Sequence, residues 1–571
     1  MTWERSERGH GLPGRAAFGV LAFAASLALG ASAAARPTQP KMGEPIDGLS
    51  PAELQQFQNG KVDFSTVLTV PNGLGPIFNQ NSCASCHNNP VGGSGSIFVT
   101  RFGFADKGFF DPLENLGGSL LQAQSISPEC AESIPPFPIS NIQANRITST
   151  ILGAGLIEAI PDQDIQFYAD NPPPNVSGRV HMVVPAEGPA TPRVGRFGWK
   201  AQVATVLTFS GDAALNEMGL TNRLFTQENA PNGDPDLLKQ CDSVADPEDH
   251  PDGSGFEFID RITHFQRFLA PPPQTPKSGM SGEAHFMAAQ CGSCHVPSFT
   301  TPNDTNLEPA LRNRTVKAYS DFLLHDMGSN ADFIAQGAAT EFEIRTPTLW
   351  GVRVRDPLWH DGRVTGGTFA ERMTQVIALH NGFGSEAQAS YALYNALSAQ
   401  QKNELIAFLD SLGRAEFDAD GDNHIDGDDF RSFADCFTGP GSAAGSISPD
   451  DPCAVHDIDQ DGDVDLDDFA EFETVYEGVI GDCDNDTVND LREILLGAAD
   501  VNDNLIPDSC ETPACPGDID GDNDVDSTDL NVVLTDFGCT SSPCAGDADL
   551  DGDTDSTDLN IVLTAFGASC N

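Results

Sequence analysis

The sequence predicts a mainly α-helical chain: two fused helical units, each built around its own cofactor motif, then a tandem array of acidic loops. Three observations predict it. The pattern C-x-x-C-H occurs twice, in "NSCASCHNNP" and "QCGSCHVPSF". An amphipathic helical pattern, "SAQQKNELIAFLDSLG", closes the second unit. After Glu416 an acidic twelve-residue unit recurs, each copy followed by an apolar helical stretch.

The chain opens "MTWERSERGHGLPGRAAFGVLAFAASLALGASAAARPTQP". Arg5, Arg8 and Arg15 precede an apolar run from Ala16 to Gly30, and small residues follow at Ala33 to Ala35. That order is expected of a secretory signal peptide over residues 1–35 and of a periplasmic or extracellular protein. No later segment has the ~18 or more apolar residues of a spanning helix, so no transmembrane span is expected after cleavage. The chain has 571 residues and a formal charge of −54. From Glu416 onward, 42 acidic residues face only Arg431 and Arg492. Such a tail repels nucleic acid and anionic membrane, and it requires water or cations.

The first unit is expected over residues 43–275 and the second over 276–415. The proline-rich "FLAPPPQTPKSG" lies at their junction. In the closing helix Leu405, Ile406, Phe408, Leu409 and Leu412 recur at helical spacing, with Ser398 as N-cap and Gly413 as stop. A cofactor motif near the start and an amphipathic helix at the end is the layout of a cytochrome c domain. Strand signals before Glu416 are weak, and Gly and Pro loops dominate between helices.

Two thiols that add across haem vinyl groups and one imidazole for the iron are what C-x-x-C-H supplies. Cys83, Cys86 and His87 form the first set; Cys291, Cys294 and His295 form the second. Zinc would need four ligands per site, and no further C-x-x-C completes them. Two covalent haem c groups are therefore expected. Of the 14 cysteines, Cys130 and Cys241 lie between the motifs and eight lie from Cys436 onward, numbers that permit disulfides in both regions. The segment after the first motif holds no histidine before His181 and no methionine before Met182. It offers no ordinary sixth ligand, so the first haem is read as the open, reactive one.

The acidic units read as calcium loops with oxygen ligands at positions 1, 3, 5, 9 and 12. The strict copies offer Asp418, Asp420, Asp422, Asp426 and Asp429; Asp457, Asp459, Asp461, Asp465 and Asp468; Asp518, Asp520, Asp522, Asp526 and Asp529; and Asp547, Asp549, Asp551, Asp555 and Asp558. Asp at position 12 and one helix after each loop resemble dockerin modules more than paired EF-hands. Two looser copies offer Asp482, Asp484, Asp486, Asp490 and Glu493, and Asp500, Asn502, Asn504, Asp508 and Glu511. They resemble thrombospondin type 3 repeats. The acidic calcium-binding region is expected over 416–571, either engaging a cohesin-like or cell-surface partner or serving as a rigid spacer.

"GRFGWKAQVATV", "LNEMGLTN", "FLAPPP", "LLHDMG", "RTPTLWG" and "LWHDGR" resemble the di-haem oxidoreductase, peroxidase-like family. Some members are called thiol oxidoreductases. The family is related to bacterial di-haem cytochrome c peroxidases and to the maturation enzyme of methylamine dehydrogenase. The likeness covers residues 50–414. It implies Trp199 as an electron bridge between haems, Glu217 as general acid-base in O–O cleavage, and His360 at the haem interface bonded to a propionate. It implies His380 as second axial ligand opposite His295, with His325 and Met327 as competitors. A His/His haem implies a lower potential than His/Met. The peroxidases' activating histidine after the first motif is missing here. The reading is an enzyme that reduces hydrogen peroxide with electrons from a small redox protein or an oxidisable substrate. A tethered electron-transfer cytochrome and an oxygen-dependent oxidase are the alternatives.

Overall fold

The structure, a computed structural model, describes residues 38–439, 447–510, 516–540, 543–549 and 552–569. The signal segment 1–35, Glu511 and Asp551 lie outside the described residues.

Each motif follows a helix that crosses a later helix of its own unit. In the first unit Pro51–Ser65 packs on Phe258–Phe268. The first helix starts cleanly because Ser50 and Glu53 form a capping box. Gly60 sits at the crossing, where a Cβ would lie 2.1 Å from the Arg261 carbonyl oxygen. That approach brings Phe57 and Phe64 onto Phe265, with ring centroids at 5.1 and 5.0 Å, and leans Phe64 on His87. The second unit repeats the device. Ser281–Ala288 packs on Ala399–Ser411, which starts with a Ser398 and Gln401 capping box. A Cβ at Gly282 would lie 2.0 Å from the Glu404 carbonyl oxygen. Phe286 then meets Phe408 and leans on His295.

The chain between the first motif and Ala154 departs from the helical expectation. Phe98–Asp106 is a nine-residue strand pairing antiparallel with Phe109–Asp111, Leu120–Leu121 and Ile142–Ile147. "IFVTRFGF" is rich in β-branched and aromatic residues, and the Gly-rich stretch before it masks the signal. The sheet matters for the site because Ile147, its last residue, carries two hydrogen bonds described below.

Disulfides join Cys130 to Cys241, Cys436 to Cys453, Cys483 to Cys510 and Cys539 to Cys544. None of the four motif cysteines takes part in a disulfide.

The acidic region holds two apolar clusters. Phe417, Phe430, Phe433, Phe469 and Phe472 are buried beneath the first loops, each burial being worth roughly 1.5–3 kcal/mol. Val525, Val533 and Val562 lie beneath the last two, whose helices Ser527–Asp536 and Ser556–Ala565 pack together. The first loop is seated against the haem-motif units. Buried Glu416 binds Gln39 and Lys277, and Asn423 reaches the Met42 carbonyl. No helix among the described residues is long and apolar enough to cross a membrane.

Candidate active site and cofactor sites

The first motif is a single capped turn. Cys83–Cys86 is helical, Ser82 accepts a hydrogen bond from the Ser85 N–H, and the His87 N–H bonds the Cys83 carbonyl at 3.0 Å. His87 donates from Nδ1 to the Gly93 carbonyl at 3.0 Å. His295 donates from Nδ1 to the Tyr319 carbonyl at 2.9 Å, and His380 to the Val376 carbonyl at 3.0 Å. All three rings thereby hold the tautomer in which Nε2 can ligate a metal. Burial pushes all three pKa values down, that of His295 to about 4, and a neutral imidazole is the ligating form.

The His295 and His380 rings lie edge to face with centroids 6.5 Å apart. The two rings would together hold the iron of one haem. His325 is placed differently. Its Nε2 meets Asp321 at 2.9 Å and its Nδ1 meets Glu386 at 3.0 Å. Burial opposes its charge, but Asp321 and the Cys294 sulfur outweigh burial and hold its pKa well above the usual range. Glu386 is held down to about 2 against the cost of burial, His325 being the chief cause. An imidazolium clamped by two carboxylates has no nitrogen for iron. Met327 lines the cavity beside it.

That cavity, of ≈ 220 Å³, extends from Cys291, Cys294, His295 and His380 to Thr148, Ser149 and Trp199. His360 Nε2 is buried in it without a hydrogen-bond partner. Buried Arg345 and half-buried Arg355 line it too, and desolvation pushes both pKa values down to about 10. Two guanidiniums, the charge of Arg345 adding to the depression of Arg355, together with an orphaned imidazole, suit the carboxylates of an anionic ligand. A haem with its propionates fits this donor set.

At the first site Glu217 lies on the helix Val206–Met218, and its charge and burial both raise the Cys86 thiol, to about 11. Burial is the larger cause, and Thr148 bonds the same sulfur. The Asn79 amide donates to Glu217 Oε2 at 2.8 Å, while the Glu217 carbonyl accepts from the Asn79 and Gln80 N–H groups. Burial raises the Glu217 pKa, partly offset by Asn79 and Arg101. Thus a desolvated, oriented carboxyl faces the first motif.

Ile147 joins this side to the other. Its N–H donates to the His360 carbonyl and its carbonyl accepts from Trp199 Nε1, both at 2.9 Å. The Trp199 and His360 rings lie edge to face at 6.3 Å. Next to them Asp332 binds Arg146 at 2.7 Å and Lys200 at 2.8 Å, all three buried. The sequence reading gave no role to Asn79, Arg101, Arg146, Lys200, Asp332, Arg345, Arg355 or Trp359. Three of these, Lys200, Arg345 and Trp359, sat inside quoted motifs beside residues that were given roles.

The strict acidic loops share one geometry. Asp429, Asp468, Asp529 and Asp558, the twelfth residues, are buried. Each accepts the N–H of the loop's second residue on one oxygen and the N–H of its ninth on the other. Asp418, Asp420 and Asp429 bring carboxylate oxygens within 4.8 Å of one another. Asp422, Asp426, Asp457, Asp459, Asp461, Asp465, Asp518, Asp520, Asp522, Asp526, Asp547, Asp549 and Asp555 occupy the remaining described positions. The looser loops differ. There the ninth residues, Asp490 and Asp508, accept the N–H of the second, at 2.9 and 3.0 Å. This follows from the apolar residue standing one position earlier, at Val488 and Ile506. Glu493 lies close enough to Asp482, Asp484, Asp486 and Asp490 for their charges to raise its pKa after burial has done so. Asp500 accepts N–H groups of Asn504 and Leu505, and Asn502 that of Asn504.

Residues 141–412 match the family model described as "Di-haem oxidoreductase, putative peroxidase". The match takes in the second motif, Trp199, Glu217, His360 and His380, and begins after the first motif. Among solved structures, the chain is similar to a MauG-like protein associated with microbial copper homeostasis, at 16% identity over 66% of this chain and 92% of that one, TM-score 0.30. It is similar to the diheme peroxidase BthA from Burkholderia thailandensis, at 14% identity over 66% and 90%, TM-score 0.27. It is similar to Kuenenia stuttgartiensis hydrazine synthase, at 12% identity over 70% and 100%, TM-score 0.28. No curated protein matches.

Proposed function

We propose that the chain is an exported di-haem c-type oxidoreductase that reduces hydrogen peroxide at the N-terminal site, with electrons supplied from the C-terminal site. Cys83, Cys86 and His87 would hold one haem; Cys291, Cys294, His295 and His380 would hold the other. When bound, the haem irons supply the redox chemistry with peroxide. The observation that carries the reading is the asymmetry of the two sites. The second brings two imidazoles, those of His295 and His380, together at 6.5 Å, whereas the first is faced by a desolvated carboxyl.

The residues of the chain then have separable tasks. Glu217 takes a proton from the near peroxide oxygen and delivers it to the far one, which leaves as water. Asn79 aims it. Arg345 and Arg355 would neutralise the propionates, and the unpartnered His360 Nε2 would hydrogen-bond one of them. Trp199 and His360 close the gap between sites. The external reductant is a small redox protein or a substrate too large to enter. Electron paramagnetic resonance of the ferric holoprotein tests this directly. One high-spin and one low-spin haem, the former consumed by peroxide, support it; two unreactive low-spin haems sink it.

His380→Met is expected to raise the potential of the low-spin haem, because thioether ligation favours the reduced iron relative to imidazole. Spectroelectrochemistry reads it, and an unmoved low-spin potential would remove His380 from the ligand set.

We further propose that the acidic loops bind calcium. In the metal-free protein burial pushes Asp429 up to about 6 and Asp468 up to about 7. Calcium requires both ionised, so its binding near pH 6 should release protons, measurable with an indicator dye. The linkage sign also follows. An acid whose pKa is raised on folding binds more protons folded, so metal-free stability falls as pH rises from about 4 to 7. With chelator, helix content and thermal resistance should be lower at pH 8 than at pH 5. A chelator-insensitive circular dichroism spectrum at both pH values contradicts the assignment. The region's partner would be cohesin-like or a cell surface.

A further inference from the structure

Trp359 is a side chain that the proposed chemistry leaves without a task, and its placement is unusual. It stands at φ +76°, in the left-handed region that a bulky residue rarely enters, and such strain concentrates where a side chain must be held in a particular place. The result is an indole between two histidines. Its centroid lies 5.7 Å from that of His360 and 5.2 Å from that of His380. His380 in turn faces His295 at 6.5 Å, and His360 faces Trp199 at 6.3 Å. Five rings therefore form an unbroken series from the second motif's histidine to Trp199, and Trp359 is its middle member. Aliphatic side chains also line this cavity, among them Leu358, Val352 and Ile377.

We propose that Trp359 is an electron relay between the His380 side of the second site and the His360–Trp199 pair. The inference rests on the di-haem reading above and adds a route to it. The step balances as one-electron exchange. An electron leaves the indole through Trp199 toward the N-terminal site, where hydrogen peroxide is the terminal two-electron oxidant and the N-terminal haem would supply the other electron, and one electron enters the indole from the His380 side. The Nε1 proton stays with the indole, on the Asn330 carbonyl at 3.3 Å, so Trp359 ends as it began.

The test uses the full-length holoprotein with only the second haem reduced, mixed in a stopped-flow instrument with one equivalent of hydrogen peroxide. The readout is the rate at which the second haem's absorption reports oxidation. Trp359→Leu should slow that rate by an order of magnitude or more, with the low-spin signal, the far-ultraviolet spectrum and the initial peroxide reaction unchanged. Trp359→Tyr, which keeps an oxidisable ring, should restore most of it. An undiminished rate in Trp359→Leu overturns the relay, as does equal slowing in the Leu and Tyr variants, which marks a packing role. If the unaltered holoprotein shows peroxide consumption without any oxidation of the second haem, the di-haem reading itself fails. That outcome is distinct from loss in the variant alone.

Discussion

Glu217→Gln is expected to slow the reaction with hydrogen peroxide by roughly 10²–10⁴-fold, the usual worth of a positioned general acid-base. In barrier terms that is about 3–5 kcal/mol. The substitution is nearly isosteric. A glutamine carbonyl can still accept the Asn79 amide that reaches Glu217 Oε2 at 2.8 Å, so the helix Val206–Met218 and both haem environments should survive. What disappears is the ability to carry a proton. The pH dependence separates this from a structural loss. Glu217 must be ionised to take the first proton, and burial raises its pKa above the ordinary glutamate value. The rate in the unaltered protein should therefore climb with pH through that raised value, and the acidic limb should vanish in the variant. Stability should move the other way. The native carboxyl binds more protons than the unfolded one, so it costs stability as pH rises past the ordinary value. The glutamine variant should gain relative stability near neutrality. A variant with full peroxide reactivity and the same acidic limb would remove Glu217 from the mechanism.

Much of the layout was legible because it rests on local patterns. A motif of five residues marks a short capped turn wherever it stands, and a period of 3.6 announces the helix that crosses the one before it. The acidic loops are equally local. What the sequence hid is set by contacts between distant residues. Asn79 reaches Glu217 across 138 positions, and Arg146 reaches Asp332 across 186. Neither pair has a spacing that could be read in advance. The strand Phe98–Asp106 escaped because its partner Ile142–Ile147 lies far along the chain. Its strand-forming residues also follow a glycine-rich stretch that reads as loop. The choice among His380, His325 and Met327 was likewise undecidable from order alone. Asp321 and Glu386 close around His325, a contact that no local spacing announces. Trp359 was visible in "LWHDGR", but only its backbone angle and its two histidine neighbours give it more than a wall's role.

Asp332→Ala should destabilise the haem-loaded protein by about 3–5 kcal/mol, because it strands buried cations rather than merely deleting a contact. Asp332 sits within 2.8 Å of both Arg146 and Lys200, and all three side chains are almost wholly buried. Burial alone would raise Asp332, but the two cations hold its pKa below the usual range, while burial pulls Lys200 down to about 8 despite Asp332. Without the carboxylate, Arg146 and Lys200 repel each other in a site that water does not reach. Lys200 would then shed its proton more readily. The consequence reaches the chemistry because Arg146 precedes Ile147, whose N–H and carbonyl fix His360 and Trp199, and Lys200 follows Trp199 directly. Urea unfolding should show the loss, and electron exchange between the sites should slow in the same variant under native conditions. The triple substitution Arg146→Met, Asp332→Leu, Lys200→Met separates charge from shape. Replacing all three members by apolar residues removes the stranded charge, so most of the stability should return. If the single variant unfolds at the same urea concentration as the unaltered protein, the buried triad is not what holds Trp199 against His360.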